Sequence, residues 1–148
     1  MDGEVFSDTT VLVYSRDTAE PEKHRKAKAW MTHLWTTRQG RVSYQVLQEF
    51  YVTVTEKLDP GLDRQSARRE VLAFASWRPV TIDARVFEAA WPVQDRYRLS
   101  WWDALIVAAA HVAGCAYLLT EDFQDEQMLG TVQVVNPFRI SPDRLARR

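Results

Sequence analysis

The chain is short of the features that place a protein most quickly. Only one of its 148 residues is cysteine, Cys115, so an internal disulfide is excluded and a reducing compartment is expected. No apolar run approaches the roughly 20 residues a membrane-spanning helix needs; the longest, 104–110, stops at His111. The opening residues, MDGEVFSD, are acidic and lack the basic-then-apolar layout of a secretory signal, which also predicts a cytoplasmic protein. Three scattered histidines, His24, His33 and His111, and a lone cysteine cannot make a zinc site. An excess of one charge is missing as well: 19 basic and 20 acidic residues leave a net charge of −1. That balance argues against nucleic-acid binding by bulk attraction and leaves such a role to a local basic rim or to metal ions.

What the chain does have is 46% apolar and 11% aromatic residues, enough to offset the entropy of ordering. A chain of this length buries about two-thirds of its unfolded surface, so a single domain over 1–148 is expected. Short β-like runs alternate with longer amphipathic ones. Strands are predicted over 4–6 (continuing towards Asp8), 41–43, 78–82, 117–119 and 132–135. Helices are predicted over 23–37, 44–57, 65–76, 83–96 and 100–112. Pro92 should end or kink the fourth helix, and Gly114 closes the fifth. The segment 16–21 is loose, and LDPGLD over 58–63 is a turn. Alternating strands and helices point to an α/β fold whose mostly parallel sheet is covered on both faces.

Carboxylates recur at one kind of place in this pattern. Asp8 follows the first strand; Asp122 follows another apolar strand, in LLTED, with Asp125 three residues on. Ligands of open parallel sheets bind beyond the strands' carboxyl ends, and acids there converge if their strands are neighbours. Asp103 opens the 100–112 helix, and Glu49 lies 60° from Val46, at the edge of the buried stripe of 44–57. Unshielded carboxylates repel, each pair about 4 Å apart costing roughly 1 kcal/mol even in water. Mg²⁺ or Mn²⁺ would remove that cost, because hard divalent cations prefer carboxylate and water oxygens. Such a site suits phosphodiester hydrolysis.

Plainer roles stand beside these. Asp8 suits a turn or helix N-cap, and Ser100-x-x-Asp103 is close to a capping box. Glu49 on a helix and Asp122 and Asp125 in a polar loop suit solvated positions. Trp101, Trp102 and the aromatics over 44–51 suit packing, and His111 suits a hydrogen-bonded half-buried site.

Taken together, SDTTVLVY over 7–14, SYQVLQEFY over 43–51, LSWWDALIVAAA over 99–110, LLTEDFQD over 118–125 and VNPF over 135–138 resemble the PIN-domain family. The particular resemblance is to the VapC-type ribonuclease toxins of bacterial toxin–antitoxin pairs. It covers nearly the whole chain in the family's order, and the third and fourth stretches are the more specific. It implies a three-layer α/β/α sandwich around a mostly parallel sheet of about five strands. It also implies a Mg²⁺- or Mn²⁺-dependent endoribonuclease, an antitoxin that blocks the site, and a homodimer.

By position, the resemblance assigns catalytic and metal-binding roles to Asp8, Glu49, Asp103 and Asp122, and a further metal contact to Asp125. Thr120 would support the pocket through its hydroxyl. Thr10 stands where members often have Asn, so it is the one departure in the first motif. An activated water would attack an RNA phosphodiester in line. Arg16, Arg96 and Arg98 are assigned to steering phosphates, each with a solvated charge as its alternative. Two rivals remain: a PIN-like scaffold that only binds a partner, and a haloacid-dehalogenase-like phosphatase. The latter needs a second Asp where Thr10 stands.

Overall fold

The computed structural model describes residues 3–147. Its sheet has five strands, β1 (Val5–Ser7), β2 (Gly40–Arg41), β3 (Tyr117–Leu119), β4 (Met128–Leu129) and β5 (Val132–Val135), in the order β2-β1-β3-β5-β4. All neighbours pair in parallel except β4 and β5, which form an antiparallel hairpin. The strands are short, and the inner three, β1, β3 and β5, are largely buried on both faces, as in a sheet with helices on each side. The expected α/β architecture with a mostly parallel sheet is thus observed. From β1 the chain crosses to β2 on one side, whereas β3 lies on the other; the sheet therefore changes winding direction at β1 and β3.

Helix α1 (Thr9–Tyr14) packs on both α2 (Pro21–Thr37) and α3 (Tyr44–Val52), and α4 (Arg64–Ala73) packs on α3. Helices α5 (Ala84–Tyr97) and α6 (Trp101–Val112) form a second unit, with α6 against β3 and β5. A short α7 (Pro142–Leu145) docks on α2. Trp30 and Leu34 of α2, Phe50 of α3 and nearly every side chain of α6 from Ala104 to Ala110 are buried. No helix among the described residues is long and apolar enough to cross a membrane.

Several expectations are corrected. The 78–82 segment is no strand; it makes a single parallel bridge, Ser43 to Val80. Arg78 takes a left-handed conformation (φ 48°) to close the 3₁₀ turn Phe74–Trp77, and Pro79 has no N–H to donate. The 44–57 helix ends as an α-helix at Val52 and widens into a π-helical turn, Thr53–Lys57, over the β-branched run Thr53, Val54, Thr55. The helix begun at Ala84 runs through Pro92 to Tyr97; Pro92 lies on the exposed face, where one missing backbone bond is cheap. Helix α1, β4 and α7 were not expected.

The sheet end opposite the strands' carboxyl termini is tied by Arg41. Its guanidinium donates to the Trp77, Arg78 and Ala113 carbonyls and pairs with Glu4. Gly40 is required beside it, because a Cβ there would stand 2.5 Å from the Trp77 ring. The buried Cys115 thiol lies close enough in space to feel the Arg41 charge, and burial pushes it up to about 12.

Candidate active site

Parallel pairing builds the first wall of the site. Ser7 and Leu119 are register partners, so Asp8 and Thr120 leave the sheet side by side. The Asp8 N–H donates to the Leu119 carbonyl at 3.0 Å, and the Thr120 N–H to that of Val135 at 3.0 Å. Asp8 is also the N-cap of α1: its Oδ1 accepts from the Thr9 N–H at 2.6 Å. Its Oδ2 accepts from the Thr120 hydroxyl at 2.8 Å, and that hydroxyl in turn accepts from the Asp122 N–H at 3.1 Å. This relay gives the Thr-x-Asp spacing its meaning, for it brings the Asp122 carboxylate within hydrogen-bonding reach of Asp8.

The second wall is helical. Ser43 caps α3 through the Val46 N–H, and the helix presents Glu49 towards α1. There Glu49 accepts from the Thr9 hydroxyl at 2.8 Å and from the Gln45 amide, one turn earlier, at 3.1 Å. Ser100 caps α6 by accepting from the Asp103 N–H at 3.1 Å, which sets Asp103 in the helix's first turn. The capping role and a place in the cavity are therefore compatible for both Asp8 and Asp103.

Asp8, Glu49, Asp103 and Asp122 line one cavity of about 660 Å³, together with Thr9, Thr10 and Asp17. Burial raises the Asp8 carboxyl from its ordinary 3.8 to about 7, and the charge of Asp122 adds to the rise against the Thr120 and Thr9 hydrogen bonds. Asp103 is raised in the same direction by burial, then by the charges of Asp122 and Glu49. Acids that raise one another share a local excess of negative charge.

Two observations bear on whether a divalent cation fits. The donors facing the cavity are hard oxygens, the type Mg²⁺ and Mn²⁺ prefer. The buried Thr10 hydroxyl has no hydrogen-bond partner, although Thr10 lines the cavity. Set against these, no three Asp, Glu, His or Cys side chains among the described residues stand close enough to hold one ion together. The acids share a cavity in residue type and sign, but Asp8 with Asp122 is the tight pair within it.

The remaining expected residues fall elsewhere. Asp125 is outside the cavity lining; its Oδ1 accepts from the Asn136 N–H at 2.9 Å and fastens the loop after β5. Arg16 pairs with Glu70, the Arg96 guanidinium stands 5.2 Å from the Tyr97 ring, and Arg98 closes α5 in a left-handed conformation. None of these three arginines lines the cavity. The cation that does is Lys57, carried there by the π-helical turn. Sequence reasoning misses it and Gln45, whereas Thr9, expected with Thr10 and Thr120 to add a hydroxyl contact, does line the cavity. The i,i+4 spacing of Gln45 and Glu49 was the available signal for Gln45.

The PIN domain family's sequence profile matches residues 5–126, and the chain belongs to that family. No curated protein matches it in sequence. Its structure is similar to a toxin–antitoxin complex from Klebsiella pneumoniae, at 21% identity and a TM-score of 0.65, covering 90% of this chain and 98% of that one. It is similar also to FitAcB from Neisseria gonorrhoeae, at 18% identity and a TM-score of 0.65, covering 92% and 99%. A third likeness is to VapC20 from Mycobacterium tuberculosis, described as a sarcin–ricin loop cleaving toxin. There the identity is 21%, the TM-score 0.54 and the coverage 80% and 90%. At these identities the likeness is one of fold.

Proposed function

We propose that the protein is a divalent-metal-dependent endoribonuclease acting as the toxin of a toxin–antitoxin pair. The observation that carries this reading is the buried Asp8 carboxylate, tied by Thr120 to Asp122 and facing Glu49 and Asp103 across one cavity. Membership of the PIN-domain family supports nuclease chemistry, and the structural relatives described as toxin–antitoxin complexes support an antitoxin partner. A homodimer belongs to the same reading.

Asp8, Asp103, Asp122 and Glu49 would hold Mg²⁺ or Mn²⁺, whose Lewis acidity supplies an activated water and steadies charge on the phosphoryl and leaving oxygens. The protein's own groups do the rest. Thr9 and Thr120 fix the Asp8 carboxylate from both sides, so its orientation does not have to be bought at each turnover. Gln45 and Thr9 hold one oxygen each of Glu49, leaving its remaining lone pairs to orient the attacking water or take its proton. Lys57, the cation of the lining, draws the phosphate into an otherwise acidic cavity.

The test is Asp8→Asn in purified protein incubated with a structured RNA and Mn²⁺. Cleavage is expected to vanish while circular dichroism and the melting curve report an intact fold. Equal cleavage by variant and parent would overturn the assignment.

A further inference from the structure

Beside the acidic cavity lies a second recess of about 500 Å³, walled by Gln45, Gln48, Glu49, Ile82, Trp102 and Leu105. Gln45, Gln48, Glu49 and Trp102 belong to both spaces, so the recess opens onto the same wall as the carboxylates. Its makeup differs from theirs: Ile82 and Leu105 give an apolar floor, and Trp102 is a large aromatic left 64% exposed. The indole stands one residue before Asp103, on the same helix whose residues Ala104 to Ala110 are buried in the core.

Gln45 supplies a second, independent observation. It is only 8% exposed, and its Oε1 is buried without a hydrogen-bond partner. The amide cannot be turned over to cure this. Nε2 donates to Glu49 Oε1 at 3.1 Å and to the Trp102 carbonyl at 3.3 Å, and both partners only accept. The wall is thus left with an acceptor in want of a donor, and the neighbouring Glu49 carboxylate adds more acceptor capacity.

We infer that this recess holds a nucleobase of single-stranded RNA adjacent to the scissile phosphate, stacked on Trp102 with an N–H-bearing edge towards Gln45. The inference rests on the ribonuclease reading and extends it to substrate recognition. A base meets all three demands of the recess: a flat face for the indole, an apolar body for Ile82 and Leu105, and N–H donors on its edge. An aliphatic side chain from a protein partner meets only the second.

The experiment measures KM and kcat for short single-stranded RNAs in which one abasic residue is walked across the cut site, with parent, Trp102→Ala and Trp102→Phe. Binding of the same RNAs is measured in EDTA, where no turnover is needed. Loss of one stacked base corresponds to about a 5- to 150-fold loss of affinity. Trp102→Ala is expected to raise KM by that range with little change in kcat, and Trp102→Phe to restore most of it. One abasic position should penalise the parent and leave Trp102→Ala no worse, the signature of coupled partners. If RNA is cut but abasic penalties match in parent and Trp102→Ala, the recess assignment is wrong while the nuclease reading stands. If the parent neither cuts nor binds RNA, both fall.

Discussion

The two walls of the cavity carry the same side-chain chemistry on different foundations. The sheet wall, Asp8 with Thr120, is buried and locked by register pairing, an N-cap and a hydroxyl relay. On the helical wall Glu49 is exposed and held by hydrogen bonds from Thr9 and Gln45, and Asp103 is half-buried in the helix turn that Ser100 caps. Position is fixed most firmly where solvation is poorest: Asp8 on the sheet wall is buried and pushed up to about 7, while half-buried Asp103 on the helical wall is raised in the same direction. Substitutions on the first should therefore change stability and activity together, often in opposite directions. Those on the second should change activity alone.

The sharpest test is Asp8→Asn. Its loss of cleavage is expected to be at least roughly 10²- to 10³-fold, the scale seen when one preorganised charge-stabilising group is removed. Its stability should move the other way. The folded-state Asp8 value, about 7, is raised above the unfolded 3.8, so the folded state binds the proton more tightly. Stability from this group is therefore greatest below about pH 4, declines as pH rises, and is lowest above about 7. Asn lacks that decline, so urea melts at pH 5 and pH 8 should differ less for the variant than for the parent. A variant that is less stable at pH 8 would contradict the strain argument.

Glu49→Gln should reduce cleavage by about 10²-fold or more if the carboxylate handles the water's proton, yet shift stability by less than about 0.5 kcal/mol. A large stability change would erase the contrast between the walls. Mn²⁺ at about 100 times its dissociation constant should add about 2.7 kcal/mol to the stability of metal-free protein. The gain should be larger at pH 8 than at pH 6, because protons compete for Asp8 below about 7. Calorimetry that finds no gain at either pH would remove the cation from the account. Thr120→Val should cost about 1–3 kcal/mol, since it leaves the buried Asp8 oxygen and the Asp122 N–H without their partner. Thr9→Val, which frees a half-exposed bond to Glu49, should cost only about 1 kcal/mol.

How far the sequence could be read follows the same division. Strands 117–119 and 132–135 match β3 and β5 residue for residue, because largely buried parallel strands leave short runs rich in Val and Leu, broken here by Gln133 alone. Helix α1 escaped notice although Asp8 is a good N-cap, since its six residues, TTVLVY, are mostly β-branched and poor helix formers. The 78–82 run had the right hydropathy for a strand but carries Pro79, a residue that should have demoted it. In the site, the family pattern pointed to Asp8, Glu49, Asp103 and Asp122, all of which line the cavity. The arginines illustrate the limit. A charge near a motif in the chain says nothing of distance in space, and Arg16, Arg96 and Arg98 are engaged elsewhere while Lys57 arrives through a turn whose shape no periodicity announces.

Arg41 has a consequence for how such a molecule can diversify. Its guanidinium fastens the first strand, the loop before 79 and the end of α6 to a single point at the far edge of the sheet. Lysine, with one compact ammonium, could not reach those acceptors in the same planar fork. A foundation anchored so firmly lets the loops at the opposite edge drift in length and composition without loosening what they stand on.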